Sequence, residues 1–209
     1  KAIDRIDDGG TIVLAKAGEY VGPFRSAGFM RKQNERYITI QPAEGLNRDA
    51  VVIYRPEGED QRLLPHAKVR WRNLTFDYER ISQHYAGLPW FDGCRWTNLE
   101  SGWNVQGKQY SPVRGTYYFT DGLVEDILYG PSGATLVRGS TLRNISGDCF
   151  QNAGAVIRCR VDNVDGRVKE HHTDLYQMFG DKENLIVYDV VATNLHATQS
   201  FFLEPTFWS

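Results

Sequence analysis

The chain has 209 residues, 41% of them hydrophobic, so it can bury one sizeable core. Its 24 Lys and Arg residues nearly balance 26 Asp and Glu residues, and this formal charge of -2 gives no basic footprint for nucleic acid. No apolar run approaches the ~20 residues of a membrane-spanning helix. Three cysteines form neither a disulfide framework nor a CxxC metal pattern. We therefore expect no nucleic-acid partner and no membrane span.

The first predicted elements lie between residues 2 and 20. Apolar residues at helical spacing, followed by two glycines, predict a short helix over residues 2–10. A strand is predicted over residues 11–14, followed by a turn at Gly18 and by further strands over 37–41 and 51–54. A helix in this position would cover the open edge of the first strands.

Further along the chain, an Asn or Asp followed by an aliphatic residue recurs, each time with an apolar side chain two positions earlier. The flanking positions alternate between apolar and polar, which predicts strands with one buried face. The intervals between successive copies run from 18 to 31 residues, as expected for a solenoid whose turns differ in loop length. We predict that these polar side chains form an internal hydrogen-bonded ladder along the stack. They are Asn73, Asn98, Asp126, Asn144, Asn163 and Asn194.

The segment Gly10-Thr11-Ile12-Val13-Leu14 to Gly18-Glu19-Tyr20, together with this ladder, resembles the pectate-lyase-like family. The segment departs from the family's GDTIVLxxGxY-like opening by Gly10 in place of Asp and by one extra residue before Gly18. The resemblance implies an all-β fold, a right-handed parallel β-helix (solenoid) with a short N-terminal capping helix. We expect residues 1–209 to form a single domain of this kind and to be a piece of a longer chain. An open solenoid end would then permit self-association.

Three strand-like segments late in the chain share a spacing of 26 residues: 148–151, 174–177 and 200–203. Alternate residues of a strand lie on one face. The spacing therefore predicts columns that join Asp148 to Asp174 and Phe150 to Tyr176, and continue to Ser200, Phe202 and Glu204. Two orientations remain open. Either the columns point outward as a sugar-binding strip, or the aromatic rings stack internally while the acids bond to nearby backbone.

The outward orientation would suit chemistry on an acidic polysaccharide. Elimination from a uronate sugar needs a cation to neutralise the carboxylate and a base to remove the neighbouring proton. Stacked strands lie ~4.8 Å apart, so carboxylates on neighbouring turns also suit glycoside hydrolysis. We predict the catalytic residues to be His171, His172, Asp174, Lys169 and Asp148. The predicted substrate-binding residues are Arg167, Tyr176, Phe150, Phe202 and Glu204.

These residues favour a secreted or cell-surface protein that cleaves an acidic polysaccharide by lyase-type elimination, with glycoside hydrolysis as an alternative. A further alternative is a non-catalytic glycan-binding or structural module of a surface filament, adhesin or spike, because no catalytic signature is complete. No cofactor is predicted, although the carboxylates of Asp148, Asp174 and Glu204 keep calcium open. A second aromatic surface could stack on sugar rings or simply cover the solenoid; it includes Trp90, Trp103, Tyr110, Tyr117 and Tyr118.

Overall fold

The computed structural model describes residues 5–21, 34–54, 68–77, 89–97, 117–168, 173–179 and 185–204. Nearly all regular structure in these ranges is β-strand. The only helical elements longer than one residue in the described ranges are two short 3-10 helices, η1 (Arg48–Ala50) and η2 (Gly166–Val168). All pairings between the strands are parallel.

Within the described ranges, the strands form two sheets of eight strands and one of three. Sheet A contains, in spatial order, β1 (Thr11–Leu14), β3 (Ile38–Pro42), β5 (Val69–Arg72), β7 (Trp90–Asp92), β9 (Tyr118–Thr120), β11 (Leu136–Arg138), β14 (Ala155–Ile157) and β17 (Ile186–Tyr188). Sheet B contains β2 (Gly18–Val21), β4 (Val51–Tyr54), β6 (Thr75–Asp77), β8 (Arg95–Thr97), β10 (Leu123–Ile127), β12 (Thr141–Ile145), β15 (Arg160–Asp165) and β18 (Val191–His196). Sheet C contains β13 (Phe150–Gln151), β16 (Asp174–Phe179) and β19 (Gln199–Glu204).

The chain visits sheets A and B in turn, so each passage adds one strand to each sheet. Such a passage is called a coil below. Parallel pairing with a regular one-strand advance is compatible with a β-helix, and it confirms the predicted all-β, parallel architecture. No helix among the described residues is long and apolar enough to cross a membrane.

The core lies between the sheets and is built from columns of apolar side chains. The period-two alternation predicted from the sequence is observed in β3, β4 and β5, where every second residue is buried or nearly so. Sheets A and B are in contact through Phe91 and Trp96, whose rings pack edge to face with centroids 5.0 Å apart. The sheet A column includes Ile40, Trp71, Phe91, Phe119, Val137 and Val156, and the sheet B column includes Ile53, Phe76, Trp96, Val124, Leu142 and Val161.

The predicted polar ladder exists in part, but it lies on the outside of the stack. Asp126, Asn144, Asn163 and Asn194 occupy equivalent positions in four consecutive strands of sheet B, with φ between 53° and 57°. Asn144 donates to Asp126 Oδ1 at 2.7 Å, and Asn163 donates to Asn144 Oδ1 at 2.8 Å. All four side chains are exposed, so the prediction of an internal ladder is wrong. Asn and Asp tolerate the left-handed backbone conformation. At this bend the Asn or Asp side chain lies outside, and the aliphatic residue that follows it enters the core.

The first predicted ladder member belongs to a different bend. Asn73 connects β5 to β6 with a φ of 51°, and Gly93 occupies the same position on the next coil with a φ of 64°. A Cβ at Gly93 would collide with the Asn73 carboxamide, so the small residue lets the coils approach. Asn98 lies outside the described residues.

The predicted N-terminal capping helix is not seen in the described part of the chain. Arg5 alone has a helical conformation there, and the backbone then forms a turn closed by a hydrogen bond from Gly10 N to Asp7 O at 3.0 Å. Residues 2–4 of the predicted helix lie outside the described ranges. The two glycines favour a turn over a helix here, and Gly9 adopts a φ of 79°.

Candidate functional site

Sheet C carries the late segments in which the sequence predicts chemistry. Phe150 pairs with Tyr176 and Gln151 pairs with Gln177, so the 26-residue offset between the first two segments is confirmed. Because Asp148 and Asp174 share that offset, they lie on adjacent coils, a rung spacing of ~4.8 Å.

The third segment is offset by one residue from the prediction. Tyr176 pairs with Phe201 rather than Phe202, and Gln177 pairs with Phe202. Glu204 pairs with Phe179 and therefore does not extend the Asp148 and Asp174 column. The predicted continuation is wrong because the last coil returns to sheet C after 25 residues, since Gln199 is the partner of Asp174.

The acid and aromatic columns point into the molecule. Asp148, Phe150, Asp174 and Tyr176 are each exposed by 3% or less. The Tyr176 hydroxyl donates to the Ala153 carbonyl oxygen, and burial raises the pKa of Tyr176 to about 12. The outward orientation of these four residues as a sugar-binding strip is therefore wrong, and Phe150 and Tyr176 join the hydrophobic core, as the internal orientation predicts for these two rings.

A polar network joins the two coils around these acids. We call Ser132, Asp148, Gln151, Asp174 and Gln177 the Asp–Gln cluster. Asp148 Oδ1 accepts a hydrogen bond from the Asp174 backbone N–H at 3.0 Å, and Asp148 Oδ2 accepts one from Gln151 Nε2 at 3.3 Å. Gln151 Nε2 also donates to Gln177 Oε1 at 3.3 Å, and Ser132 Oγ donates to Gln151 Oε1 at 3.1 Å. The repeated Asp-x-x-Gln pattern thus becomes one connected network.

The electrostatic effect of the cluster is visible in its neighbours. Burial raises the pKa of the Cys149 thiol, and the carboxylates of Asp148 and Asp174 raise it further. Burial also raises the pKa of Tyr129, again with a contribution from Asp148. Both groups are acids whose charged forms are disfavoured near negative charge away from water. Burial and these carboxylates therefore favour the neutral forms of Cys149 and Tyr129.

The remaining predicted residues are not brought to the cluster by the described structure. Lys169, His171 and His172 lie outside the described residues, as does the side chain of Glu204. Arg167 is exposed and pairs with Asp165, with Nη2 and Oδ2 2.7 Å apart. The hydrogen bonds from Arg167 lower the pKa of Asp165 to about 2. Their catalytic and binding roles stay predictions.

The second aromatic surface is partly observed, on the outer face of sheet A. Trp90 and Tyr118 lie on adjacent coils with ring centroids 6.3 Å apart, and the Arg70 guanidinium lies 4.2 Å from the Trp90 centroid. Trp90 Nε1 donates to Thr120 Oγ1 at 2.8 Å. Tyr117 is instead fully buried. Because neighbouring side chains cover Trp90, this aromatic surface favours the alternative in which the rings cover the sheet over the one in which they stack on a sugar. Trp103 and Tyr110 lie outside the described residues.

A third arrangement, on the outer face of sheet B, has no counterpart in the sequence pattern. Glu125 is 1% exposed and bonds both Arg95 and Arg143, which lie on the coils before and after it. Arg95 Nη1 also reaches Asp49 Oδ1 at 3.1 Å. Only the register of three coils brings these charges together, because they are far apart in the chain.

In comparisons with known proteins, no family model, no curated protein and no solved structure matches the chain. Within the described ranges, no group of three or more His, Cys, Asp or Glu side chains could hold a metal ion.

Proposed function

We propose that this chain is a carbohydrate-active, pectate-lyase-like right-handed parallel β-helix, secreted or on the cell surface, that acts on an acidic polysaccharide. The single observation that supports this best is the stack of parallel strands, because it is the architecture that the resemblance of the opening segment to the pectate-lyase-like family implies.

Lyase-type elimination is the proposed reaction. A base removes the proton beside the sugar carboxylate, and the bond from the neighbouring carbon to the glycosidic oxygen breaks. That oxygen takes up a proton and leaves as a hydroxyl, and a carbon–carbon double bond remains in the product. Tyr176 is a poor proton carrier because its pKa is raised to about 12 and its hydroxyl is bonded to Ala153. Asp174 is fully buried, so the base role rests with His171 or His172, and the neutralising cation with Lys169.

Glycoside hydrolysis by Asp148 and Asp174 is the alternative reaction. Retaining hydrolases use two carboxyl groups about 5–5.5 Å apart, and inverting ones use a larger separation. The rung spacing of ~4.8 Å between adjacent coils is nearer to the retaining value. Both acids are at most 3% exposed, so elimination is the proposed reaction and hydrolysis stays the alternative.

The test is a product assay on a panel of acidic and neutral polysaccharides, with and without calcium. Ultraviolet absorbance reports unsaturated ends, and a reducing-sugar assay reports hydrolysis. We expect His172→Ala to lower the rate at least ~100-fold, the loss typical for removal of an acid–base group. His196→Ala is the matched control, because His196 is an exposed histidine on sheet B. The enzyme proposal fails if the wild-type protein releases neither kind of end from any polysaccharide.

A non-catalytic glycan-binding or structural module is the second candidate. Its support is that Asp148 accepts hydrogen bonds from the chain itself while only 3% exposed, as structural carboxylates do. Last-coil residues such as Phe201 (49% exposed) and Leu203 (56%) offer apolar surface for self-association. Glycan binding without turnover would favour this candidate, and a strict monomer in sedimentation at high concentration would count against self-association.

A further inference from the structure

The outer face of sheet B contains an ion-pair network that the proposed function does not use. Glu125 lies on β10 between Arg95 on β8 and Arg143 on β12, and its two carboxylate oxygens each accept from one guanidinium Nε. The Glu125 side chain is 2% exposed, whereas that of Arg143 is 51% exposed. The negative charge is therefore inside the network, and the positive charge of Arg143 faces solvent.

Arg95 and Arg143 differ in how many guanidinium donors remain for a ligand. Arg95 is engaged on two sides, by Glu125 through Nε and by Asp49 through Nη1. Arg143 is held through Nε alone, and within the described part of the chain its two terminal amino groups make no hydrogen bond. A guanidinium anchored at one edge presents its other donors in a fixed fork, the geometry that binds an oxyanion bidentately.

The neighbouring acid on the next coil does not occupy this fork. Asp162 is the register partner of Arg143, yet no ion pair joins these two described residues. Asp162 Oδ1 instead accepts from Thr193 Oγ1 at 2.8 Å and from Asn194 Nδ2 at 2.7 Å, both on the following coil. The terminal amino groups of Arg143 thus stay available to an external group.

We propose that Arg143, oriented by buried Glu125, is a binding site for an oxyanion, namely a carboxylate or sulfate group. This site goes beyond the proposed function and stands apart from the Asp–Gln cluster. The same anionic chemistry could be supplied by a uronate or sulfated saccharide or by a free anion. A saccharide would gain further contacts along the sheet, whereas a free ion would use the fork alone.

The test follows the arginine Nε–H signals of ¹⁵N-labelled protein by nuclear magnetic resonance. Arg143 is assigned by the loss of its signal in Arg143→Lys. Titration with sodium sulfate is expected to shift the Arg143 signal to saturation, whereas sodium chloride at equal ionic strength leaves it unchanged. Arg160 provides the internal control, because it is an exposed arginine on the same sheet. Similar, unsaturated shifts of Arg143 and Arg160 would overturn the proposal.

Thermal unfolding gives a second readout that needs no assignment. Sulfate is expected to raise the melting temperature of the wild type more than that of Arg143→Lys, since a ligand stabilises only the protein that binds it. Glu125→Gln, if its spectrum shows a folded chain, is expected to weaken binding at least tenfold because the fork loses its anchor. Equal stabilisation of all variants would contradict the site.

Two further experiments are needed. One distinguishes a saccharide ligand from a free anion, and the other distinguishes this proposal from the proposed function. An oligomer of galacturonic acid that binds more tightly than sulfate supports a saccharide ligand, and the reverse order supports a free anion; either result upholds the site. His172→Ala is expected to leave sulfate binding unchanged. The Arg143 site can therefore hold when the enzyme assay fails, and it can fail when that assay succeeds.

Discussion

Replacing Gly130 by alanine probes how closely two coils approach. Gly130 follows β10, and its backbone N–H donates to the Asp148 carbonyl oxygen of the next coil at 2.9 Å. A Cβ built on Gly130 would lie 2.9 Å from the Cys149 carbonyl carbon and nearer still to its oxygen, whereas an ordinary contact begins near 3.4 Å. The coils would have to separate by at least ~0.5 Å, the difference between these two distances. Backbone atoms cannot rotate away as side chains do.

We expect Gly130→Ala to lower the free energy of unfolding by about 3 kcal/mol, the upper part of the usual cost of overpacking. With an unfolding entropy of ~2.1 cal/mol/K per residue over 209 residues, this corresponds to a fall in melting temperature of about 7 °C. Thermal unfolding followed by circular dichroism measures it. Gly45→Ala is the control, because Gly45 has a φ of 85° but no atom within 4 Å of its added Cβ. That control should cost about 1–2 kcal/mol of backbone strain. The packing argument is refuted if Gly130→Ala melts no lower than Gly45→Ala.

Three further predictions concern buried groups. Glu125→Gln should lower the free energy of unfolding, measured in urea, by about 3 kcal/mol, because it leaves two arginines without their charged, buried partner. The control is Asp121→Asn at an exposed ion pair, which should cost less than ~1 kcal/mol. Equal effects of the two substitutions would contradict the buried network. All three cysteine thiols are free and buried, with their pKa values raised by burial, so a thiol reagent should label none in the native protein and three after unfolding. Because the pKa of Tyr176 is raised from 10.0 to about 12, its contribution to stability is complete below pH 10 and is lost as pH rises toward 12. The urea midpoint of the wild type should therefore fall between pH 10 and 12, and that of Tyr176→Phe should fall less. An equal fall in both proteins would contradict the raised pKa of Tyr176.

Much of the fold is predictable because it depends on short-range periodicity. A strand with one buried face must alternate apolar and polar residues, so the spacing of Trp96, Val124 and Leu142 from their polar neighbours correctly predicts the core column of sheet B. The Asn or Asp that lies two positions after each of these apolar residues likewise indicates a repeated bend. The expectation that its side chain lies inside is wrong, because the left-handed conformation at Asn144 and Asn163 is not apparent from the apolar pattern alone.

The candidate site is less predictable, because strand parity cannot reveal which face of a strand is buried. The 26-residue offset correctly pairs Phe150 with Tyr176. The same offset fails at the next coil, where a return of 25 residues pairs Tyr176 with Phe201. A change of one residue in loop length moves every later side chain to the opposite face, and loop length carries no periodic signal.

Stacked parallel strands around apolar columns follow from the amino-acid sequence, since alternation and recurring bends are local properties of the chain. Stacking of the coils, in contrast, places Asp148 and Asp174 in the interior, leaves the Asn ladder outside, and lets Glu125 unite Arg95 and Arg143. These features depend on which residues become neighbours across coils. That in turn depends on the exact length of each connection, so charges distant in the chain meet only when the coils stack.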